Sequence, residues 1–237
     1  MIDRAAVRLR DEGDDRARTV AAQPAAPRTR VLAPAPVPAP PPSPPPRVTL
    51  AGRAWRLMDR PIAGWSLVPG DPVLDMRGFG WTAALRADWR TIRAEAIPGD
   101  GGDKPLWRGG APVDAALVHR PATRTLIAAI PDVEEAAFVA LAPGAHVPAR
   151  RGPTRALLTC HLGLAVPRDG DVRMRVHDRI VRWAEGETLV FDDTCPHEMW
   201  NDSSGARIVL AIRFARPLRQ PGRWVAARML RWMRRGP

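Results

Sequence analysis

Short apolar runs, separated by proline, glycine and charged residues, fill the chain from residue 136 onward. Some of these runs alternate apolar and polar positions, as in residues 172–178, which read VRMRVHD. A period of two is typical of a strand with one buried face. Seven such runs at close spacing leave no room for crossover helices, so they predict an antiparallel sandwich or barrel. A jelly roll fits the pattern best.

Helical spacing precedes the strands. Residues 81–97 carry apolar side chains three or four positions apart, which places them in one stripe on an amphipathic helix. A second, shorter helical pattern covers residues 121–129 and ends before Pro131. We therefore expect a mainly β domain with flanking α-helices that pack on its sheets.

Composition divides the chain into three segments. Eleven of the twenty-three residues from Pro24 to Pro46 are proline, a composition that favours polyproline II without helix or sheet hydrogen bonds. Residues 1–46 are therefore predicted to form a disordered tether. Residues 47–218 form the expected jelly-roll domain, and residues 219–237 a basic amphipathic helix.

Charge and cysteine content narrow the classes of function. The formal net charge is +11, but the positive residues are almost all arginine and are spread over every segment, which argues against a nucleic-acid-binding face. Cys160 and Cys195 are too few for the disulfide framework of a secreted protein. No stretch reaches the roughly eighteen apolar residues of a membrane span. We expect a cytoplasmic protein that does not bind nucleic acid.

The C-terminal segment suggests a partner. Residues 219–235 set tryptophans such as Trp224 and Trp232 against several arginines, a composition that suits the anionic inner face of a membrane. Docking of the apolar side of the same helix on the sandwich explains the pattern equally well. Peripheral membrane contact is therefore an expectation with an open alternative.

The clearest candidate chemistry lies in residues 191–201, FDDTCPHEMWN. Strand alternation puts His197 and Cys195 on one face, and Asp192 and Asp193 stand just upstream, where they would orient the imidazole. A buried imidazole inside a jelly roll is a suitable ligand for iron or zinc. Taken alone, His197 is more simply interpreted as a core histidine bonded to a backbone carbonyl.

The position of Arg207 favours a binding site over a structural role for His197. Arg207 begins a predicted strand that a hairpin folds back beside the histidine strand, so the two side chains can face one cavity. An interior guanidinium needs a carboxylate partner, and a bound dicarboxylate would match its bidentate geometry. An internal salt bridge to Asp192 or Asp193 is the alternative. His161, in the strand TCHLGL, is a candidate second donor to the same anion.

These blocks resemble the aspartyl/asparaginyl beta-hydroxylase family, whose members are iron(II)- and 2-oxoglutarate-dependent dioxygenases with a cupin-like double-stranded β-helix. The resemblance covers roughly residues 79 to 218. It is carried by LAPGAHVPARRGPT, HLGLAVP, the W-x-E-G of residues 183–186, FDDTCPHEMWND and RFARPL, in that order.

The resemblance implies roles for three residues. His197 stands where the family binds iron(II), and His161 and Arg207 stand where it holds the two carboxylates of 2-oxoglutarate. Such an enzyme takes up dioxygen and 2-oxoglutarate, releases succinate and carbon dioxide, and hydroxylates an unactivated C–H bond. The implied substrate is a peptide Asp or Asn side chain or a lipid acyl chain.

Two positions depart from the family pattern. The second iron-binding histidine of the family falls at Arg150, and a guanidinium has no lone pair to give to a metal. A family arginine that contacts the cosubstrate falls at Thr159. The alternative function is therefore a catalytically inactive jelly roll that binds a small anion or a membrane surface.

Three interpretations of the missing ligand stay open. His146 would serve only if the chain bends, because four residues of extended chain separate it from Arg150 by roughly 13 Å. Cys195, together with Cys160 or His161, would give a sulfur and nitrogen set that suits zinc. In the third interpretation the guanidinium itself holds an anion where the metal would stand.

Overall fold

The computed structural model describes residues 60–96 and 105–234, which belong to one structural unit, residues 39–237. The tether predicted for residues 1–46 lies outside the described residues. Within the described ranges the strands are β1 Val73–Leu74, β2 Pro105–Arg108, β3 Ala111–Pro112, β4 Val133–Leu141, β5 His146–Arg150, β6 Leu157–Ala165, β7 Asp171–Val176, β8 Arg179–Arg182, β9 Thr188–Phe191, β10 His197–Asp202 and β11 Arg207–Ala215. The α-helices that lie wholly within the described ranges are α1 Thr82–Ala87, α2 Trp89–Glu95, α3 Asp114–Leu117, α4 Pro121–Ala128 and α5 Gly222–Arg234.

The strands form two antiparallel sheets. The large sheet has the order β1-β9-β6-β11-β4-β2-β3, and the small sheet has the order β5-β10-β7-β8. An apolar cluster with members from both sheets lies between them: Leu141, Val172, Met174, Val176, Phe191, Met199 and Val209. The predicted mainly β jelly roll with flanking helices is confirmed.

Strand β6 shows how the sequence sorts side chains between the two faces of the large sheet. Its residues at positions 158, 160, 162 and 164 pack in the same buried cluster as Leu85 of α1 and Ile92 of α2. Thr159 and His161 alternate with them and face the small sheet instead. Because one face is covered by helices and the other by a second sheet, the whole strand except Ala165 is buried.

Some elements differ from the sequence-based prediction. The helix predicted over residues 81–97 is two helices, because the backbone of Asp88, at φ −101° and ψ 15°, ends α1 before α2 begins. Strands β1, β2, β3 and β5 were not predicted. Three of them are short, and β5 contains Pro148, which is compatible with its position at the edge of the small sheet.

The C-terminal helix α5 packs on the domain. Its residues Ala226, Met229 and Leu230 are buried in a cluster with Ile62 and Leu157, so its apolar side contacts protein. Trp224 of the same helix remains 60% exposed. Within the described ranges, helices long and apolar enough to cross a membrane are absent. Peripheral membrane contact and a cytoplasmic location stay predictions.

Candidate functional site

A cavity of about 330 Å³ opens between the two sheets and brings together the three residues singled out from the sequence. His161 comes from β6 and Arg207 from β11 of the large sheet, whereas His197 comes from β10 of the small sheet. The volume falls in the range of pockets that hold small ligands. The expectation that these side chains share one lumen is met.

The imidazole of His197 is held in a defined tautomer. Its Nδ1–H donates a hydrogen bond of 3.1 Å to the carbonyl oxygen of Cys195, which leaves the lone pair of Nε2 available on the other side of the ring. Burial lowers the pKa of His197, although the bond to Cys195 acts in the opposite direction. The ring is therefore a neutral acceptor at neutral pH.

His161 presents the opposite tautomer. The indole N–H of Trp183 donates to its Nδ1 over 3.3 Å, so the remaining proton of a neutral ring is on Nε2. Burial, followed by the positive charge of Arg207, holds the pKa of His161 well below its usual value of 6.5. His161 is consequently an uncharged N–H donor inside the cavity.

Arg207 is the largest of the fully buried side chains among the described residues, at 1% exposure. Its guanidinium lies over the ring of Trp183, 4.4 Å from the centroid, so this indole contacts both Arg207 and His161. The carboxylates of Asp192 and Asp193 were the alternative partners considered for Arg207 from the sequence. Those carboxylates pair with Arg216 and Arg213, respectively.

The sequence suggested Asp193 only as a group that would orient His197 and did not suggest Arg213, yet both side chains line the cavity. Oδ2 of Asp193 accepts a hydrogen bond of 3.1 Å from Thr159 and lies 3.2 Å from Nε of Arg213. Burial raises the pKa of Asp193, and Arg213 opposes that shift. The signal for Arg213 was the period of two along β11, which puts it on the same face as Arg207.

Gly152 leaves room for the Asp193 carboxylate. A Cβ at position 152 would lie 2.1 Å from Oδ1 of Asp193, so a larger residue would displace the carboxylate. The N–H of Gly152 also donates to the main-chain oxygen of Asp193, over 2.6 Å. The chain after β5 and the loop before β10 are thus fixed against each other.

Arg150 faces His197 across the pairing of β5 with β10, where the two residues are direct register partners. The side chain of Arg150 lines the cavity, and its charge lowers the pKa of both His161 and His197. Arg150, which replaces a histidine of the family pattern, therefore lies directly beside His197, the candidate metal ligand.

The cysteines and His146, considered from the sequence as replacements for the missing metal ligand, do not line the cavity beside His197. His146 stacks on Trp200, and its Nε2–H donates a 2.7 Å hydrogen bond to the carboxylate of Glu198, away from the residues that line the cavity. Cys160 is buried on the helix side of β6, where burial raises the pKa of its thiol to about 12. Cys195 does not line the cavity either. The structure therefore does not bring the cysteine side chains of the zinc interpretation or the side chain of His146 together with His197 in this cavity.

The donor set does not fit the two-histidine iron centre that the resemblance implies. Nε2 of His197 is a suitable donor, but its register partner is a guanidinium, which repels a cation and cannot ligate it. In the described part of the chain, no three His, Cys, Asp or Glu side chains converge as a metal site. The carboxylate of Asp193, which also lines the cavity, pairs with Arg213.

The charges that line the cavity favour an anion instead. Four guanidinium groups are present, those of Arg108, Arg150, Arg207 and Arg213, against the carboxylates of Glu135 and Asp193. With both histidines neutral, these side chains carry four positive and two negative charges, an excess of two positive charges. Low-dielectric walls strengthen the attraction of such a site for a dianion.

The fold and the cavity define a jelly-roll domain with an arginine-lined cavity between its two sheets. Residues 102–217 match the family model described as aspartyl/asparaginyl beta-hydroxylase. The family model and the relatives therefore support the resemblance of this domain to the aspartyl/asparaginyl beta-hydroxylase family that its motifs predicted.

Two relatives illustrate the match. The ornithine lipid ester-linked acyl 2-hydroxylase of Rhizobium tropici is 34% identical over 179 residues, which cover 65% of this chain and 64% of that protein. The human aspartyl/asparaginyl beta-hydroxylase is 32% identical over 153 residues, which cover 54% of this chain and 20% of that protein. The chain thus spans less than two thirds of the length of either relative. Both relatives are, by name, hydroxylases.

Among solved structures, a predicted oxalate decarboxylase of Thermotoga maritima aligns at a TM-score of 0.32 and 12% identity, covering 50% of this chain and 96% of that one. The fold class rests on the two facing antiparallel sheets rather than on this alignment.

Stability should fall on mild acidification because of His161. Below about pH 6.5 the unfolded chain binds a proton at this residue that the folded protein does not, so stability decreases as the pH drops toward 5, by at most about 1.4 kcal/mol per pH unit for one group. Chemical denaturation between pH 7 and about pH 5 measures this slope. The His161→Gln variant should show a shallower slope than the wild type. Identical slopes would contradict the assignment of a neutral, buried His161.

Proposed function

We propose that the cavity binds a 2-oxo dicarboxylate, with 2-oxoglutarate as the expected ligand, through Arg207 and His161. The observation that supports this most is the presence of a buried guanidinium and a neutral imidazole N–H in one cavity with a positive excess of charge. Burying an arginine is costly unless it meets an anion, and a carboxylate matches its planar donors bidentately.

The two donors differ in what they contribute. Arg207 supplies charge and two parallel N–H groups, and its position over Trp183 limits how it can turn. Nε2–H of His161 supplies a neutral hydrogen bond whose direction is set by the indole on the opposite side of the ring. A carboxylate held by both groups would be bound in one orientation, with the rest of the ligand directed into the cavity.

Isothermal titration of the purified chain with 2-oxoglutarate tests the proposal. We expect saturable binding with one ligand per chain, competed by an excess of an analogue that has the same two carboxylates and cannot be oxidatively decarboxylated. Failure to bind 2-oxoglutarate both with and without a divalent metal would refute the proposal.

A second candidate function is hydroxylation of an aliphatic C–H bond, on a peptide Asp or Asn side chain or on a lipid acyl chain. The names of the relatives and the cavity-facing His197 favour it. The reaction requires dioxygen and an iron(II) ion, and the residues beside His197 do not fit such an ion in the family's manner. Its support is therefore weaker than that for ligand binding.

Turnover of 2-oxoglutarate separates the two candidates. Wild-type protein is incubated with iron(II), ascorbate, air and 2-oxoglutarate, and succinate is quantified against an identical reaction that contains a chelator. We expect equal succinate in both reactions. A chelator-sensitive excess of succinate would establish the second candidate and would show that an iron centre forms despite Arg150.

A further inference from the structure

The cavity receives guanidinium groups from both sheets. Arg207 projects into it from β11 of the large sheet, and Arg150 from β5 of the small sheet. Arg207 is buried at 1% exposure, whereas Arg150 belongs to an edge strand and is exposed. One guanidinium is therefore fixed in the interior, and the other can approach a ligand from the open side.

We propose that Arg150 takes the place of a metal ion as the second anchor of the ligand, so that the cavity is a metal-independent clamp for a four- or five-carbon dicarboxylate. In this arrangement Arg207 binds one carboxylate and Arg150 binds the other. The inference rests on the proposed function, because it assumes that Arg207 and His161 form the first anchor.

The register of the small sheet supports the position of this second anchor. Arg150 is the direct partner of His197, so its Cα lies beside the residue that the family resemblance assigns to iron. The cavity lining includes both side chains. The charge of Arg150 also acts on His161 of the opposite sheet, whose pKa it lowers, although less than burial and Arg207 do. Its guanidinium thus acts across the lumen and not only on its own sheet.

The charge balance supports a dianion. The lining side chains have an excess of two positive charges, and Arg213 is the cation already engaged by Asp193 and Glu135. A ligand with two carboxylates would neutralise this excess of two positive charges.

A clamp of two guanidinium groups and a metal centre would require different functional groups on the ligand. A metal ion held by few protein ligands would chelate 2-oxoglutarate through its 2-oxo oxygen and the adjacent carboxylate, so the oxo group would be essential. Two guanidinium groups need only the two carboxylates. Two compounds therefore distinguish the two kinds of site. Glutarate has the same carbon chain as 2-oxoglutarate but no oxo group. 2-Oxopentanoate has the oxo group but a single carboxylate.

The experiment is isothermal titration of the full chain in the presence of EDTA with these three compounds. We expect 2-oxoglutarate and glutarate to bind with affinities within about threefold of each other and 2-oxopentanoate to bind at least about tenfold more weakly, because it lacks one charge-assisted anchor. Arg150→Ala should weaken both dicarboxylates by about tenfold or more and leave 2-oxopentanoate less affected.

Arg179→Ala is the matched control. Arg179 is an exposed arginine of β8 in the same sheet, it does not line the cavity, and its removal changes the net charge equally. Its dicarboxylate affinities should equal those of the wild type. Since both replaced residues are exposed, both variants should keep the wild-type melting temperature, which a thermal scan verifies.

The outcomes separate this inference from the proposed function. Binding of 2-oxoglutarate that requires added manganese(II) or iron(II), with no binding of glutarate, would overturn the clamp and leave the proposed function standing. Equal loss of affinity in Arg150→Ala and Arg179→Ala would also overturn the clamp. No binding of 2-oxoglutarate under any condition would overturn both.

Arg150→His provides a complementary readout. It places a second imidazole opposite His197, so manganese(II) binding, followed by electron paramagnetic resonance, should appear or strengthen relative to the wild type. The same variant should prefer 2-oxoglutarate to glutarate once metal is present. Manganese binding by the wild type as tight as by the variant would contradict the replacement of metal by guanidinium.

Discussion

Replacement of Arg207 by alanine will weaken 2-oxoglutarate binding by about 100-fold, because it removes a desolvated partner of a carboxylate, a change that costs roughly 2–5 kcal/mol in comparable buried contacts. The side chain is 1% exposed and is positioned by Trp183, so little of its interaction is screened by water. Titration calorimetry of the variant beside the wild type measures the loss.

The Arg207→Lys variant is the comparison for Arg207→Ala. It keeps the positive charge but lacks the planar pair of N–H donors, so its loss of affinity should lie between those of the wild type and Arg207→Ala. Circular dichroism establishes that each variant is folded before binding is compared. Wild-type affinity in a folded Arg207→Ala protein would mean that the ligand does not contact this guanidinium.

Replacement of Arg216 by alanine will lower the free energy of unfolding by about 3 kcal/mol or more, since it leaves the carboxylate of Asp192 buried without its cation. The two side chains are 4% and 9% exposed and form a salt bridge. Nε of Arg216 also donates to the carbonyl oxygen of Arg155 over 2.7 Å. Urea denaturation followed by tryptophan fluorescence measures the change.

The exposed pair of Arg182 and Asp171 supplies the comparison. Arg182→Ala breaks a 3.0 Å contact whose side chains are 64% and 39% exposed, and it should cost less than about 1 kcal/mol. The double variant Asp192→Ala and Arg216→Ala should be destabilised by less than the sum of the two single variants, because the residues interact directly. An additive result would contradict the salt bridge as the source of stability.

The effect of Arg216 extends to the site because Asp192 shapes the loop that leads to His197. Oδ1 of Asp192 accepts hydrogen bonds from the N–H and the hydroxyl of Thr194, at 3.0 and 2.5 Å. The carbonyl oxygen of Cys195, one residue further on, orients the His197 ring. Loss of the buried pair should therefore loosen the imidazole as well as the fold.

Period-two alternation predicted that His197 and Arg207 can face one cavity, and both side chains line it. The same rule that aimed His197 inward also places Arg213 with Arg207, and applying it along the whole of β11 would have found Arg213. The position of Asp193 was less accessible. It lies in a loop, and its carboxylate points to the cavity because Gly152, distant in sequence, leaves space for it.

The local sequence pattern around Arg150 did not predict the environment of this side chain. Strand β5 contains a proline and mostly exposed positions, so it lacks the alternation that identifies a strand. Its role depends on pairing with β10, a long-range contact that no local pattern encodes. The resemblance to the family aligned Arg150 with a histidine, but only the paired strands show that it stands beside His197.

Trp183 follows β8 and touches both His161 and Arg207. A single indole thus couples a neutral donor to a charged one, and neither can be reoriented without disturbing the other. For the proposed ligand, selectivity would therefore depend on the turn after β8 as much as on the strands that bear the polar groups. A change in ligand specificity would also require a change at Trp183, which does not itself bind the ligand.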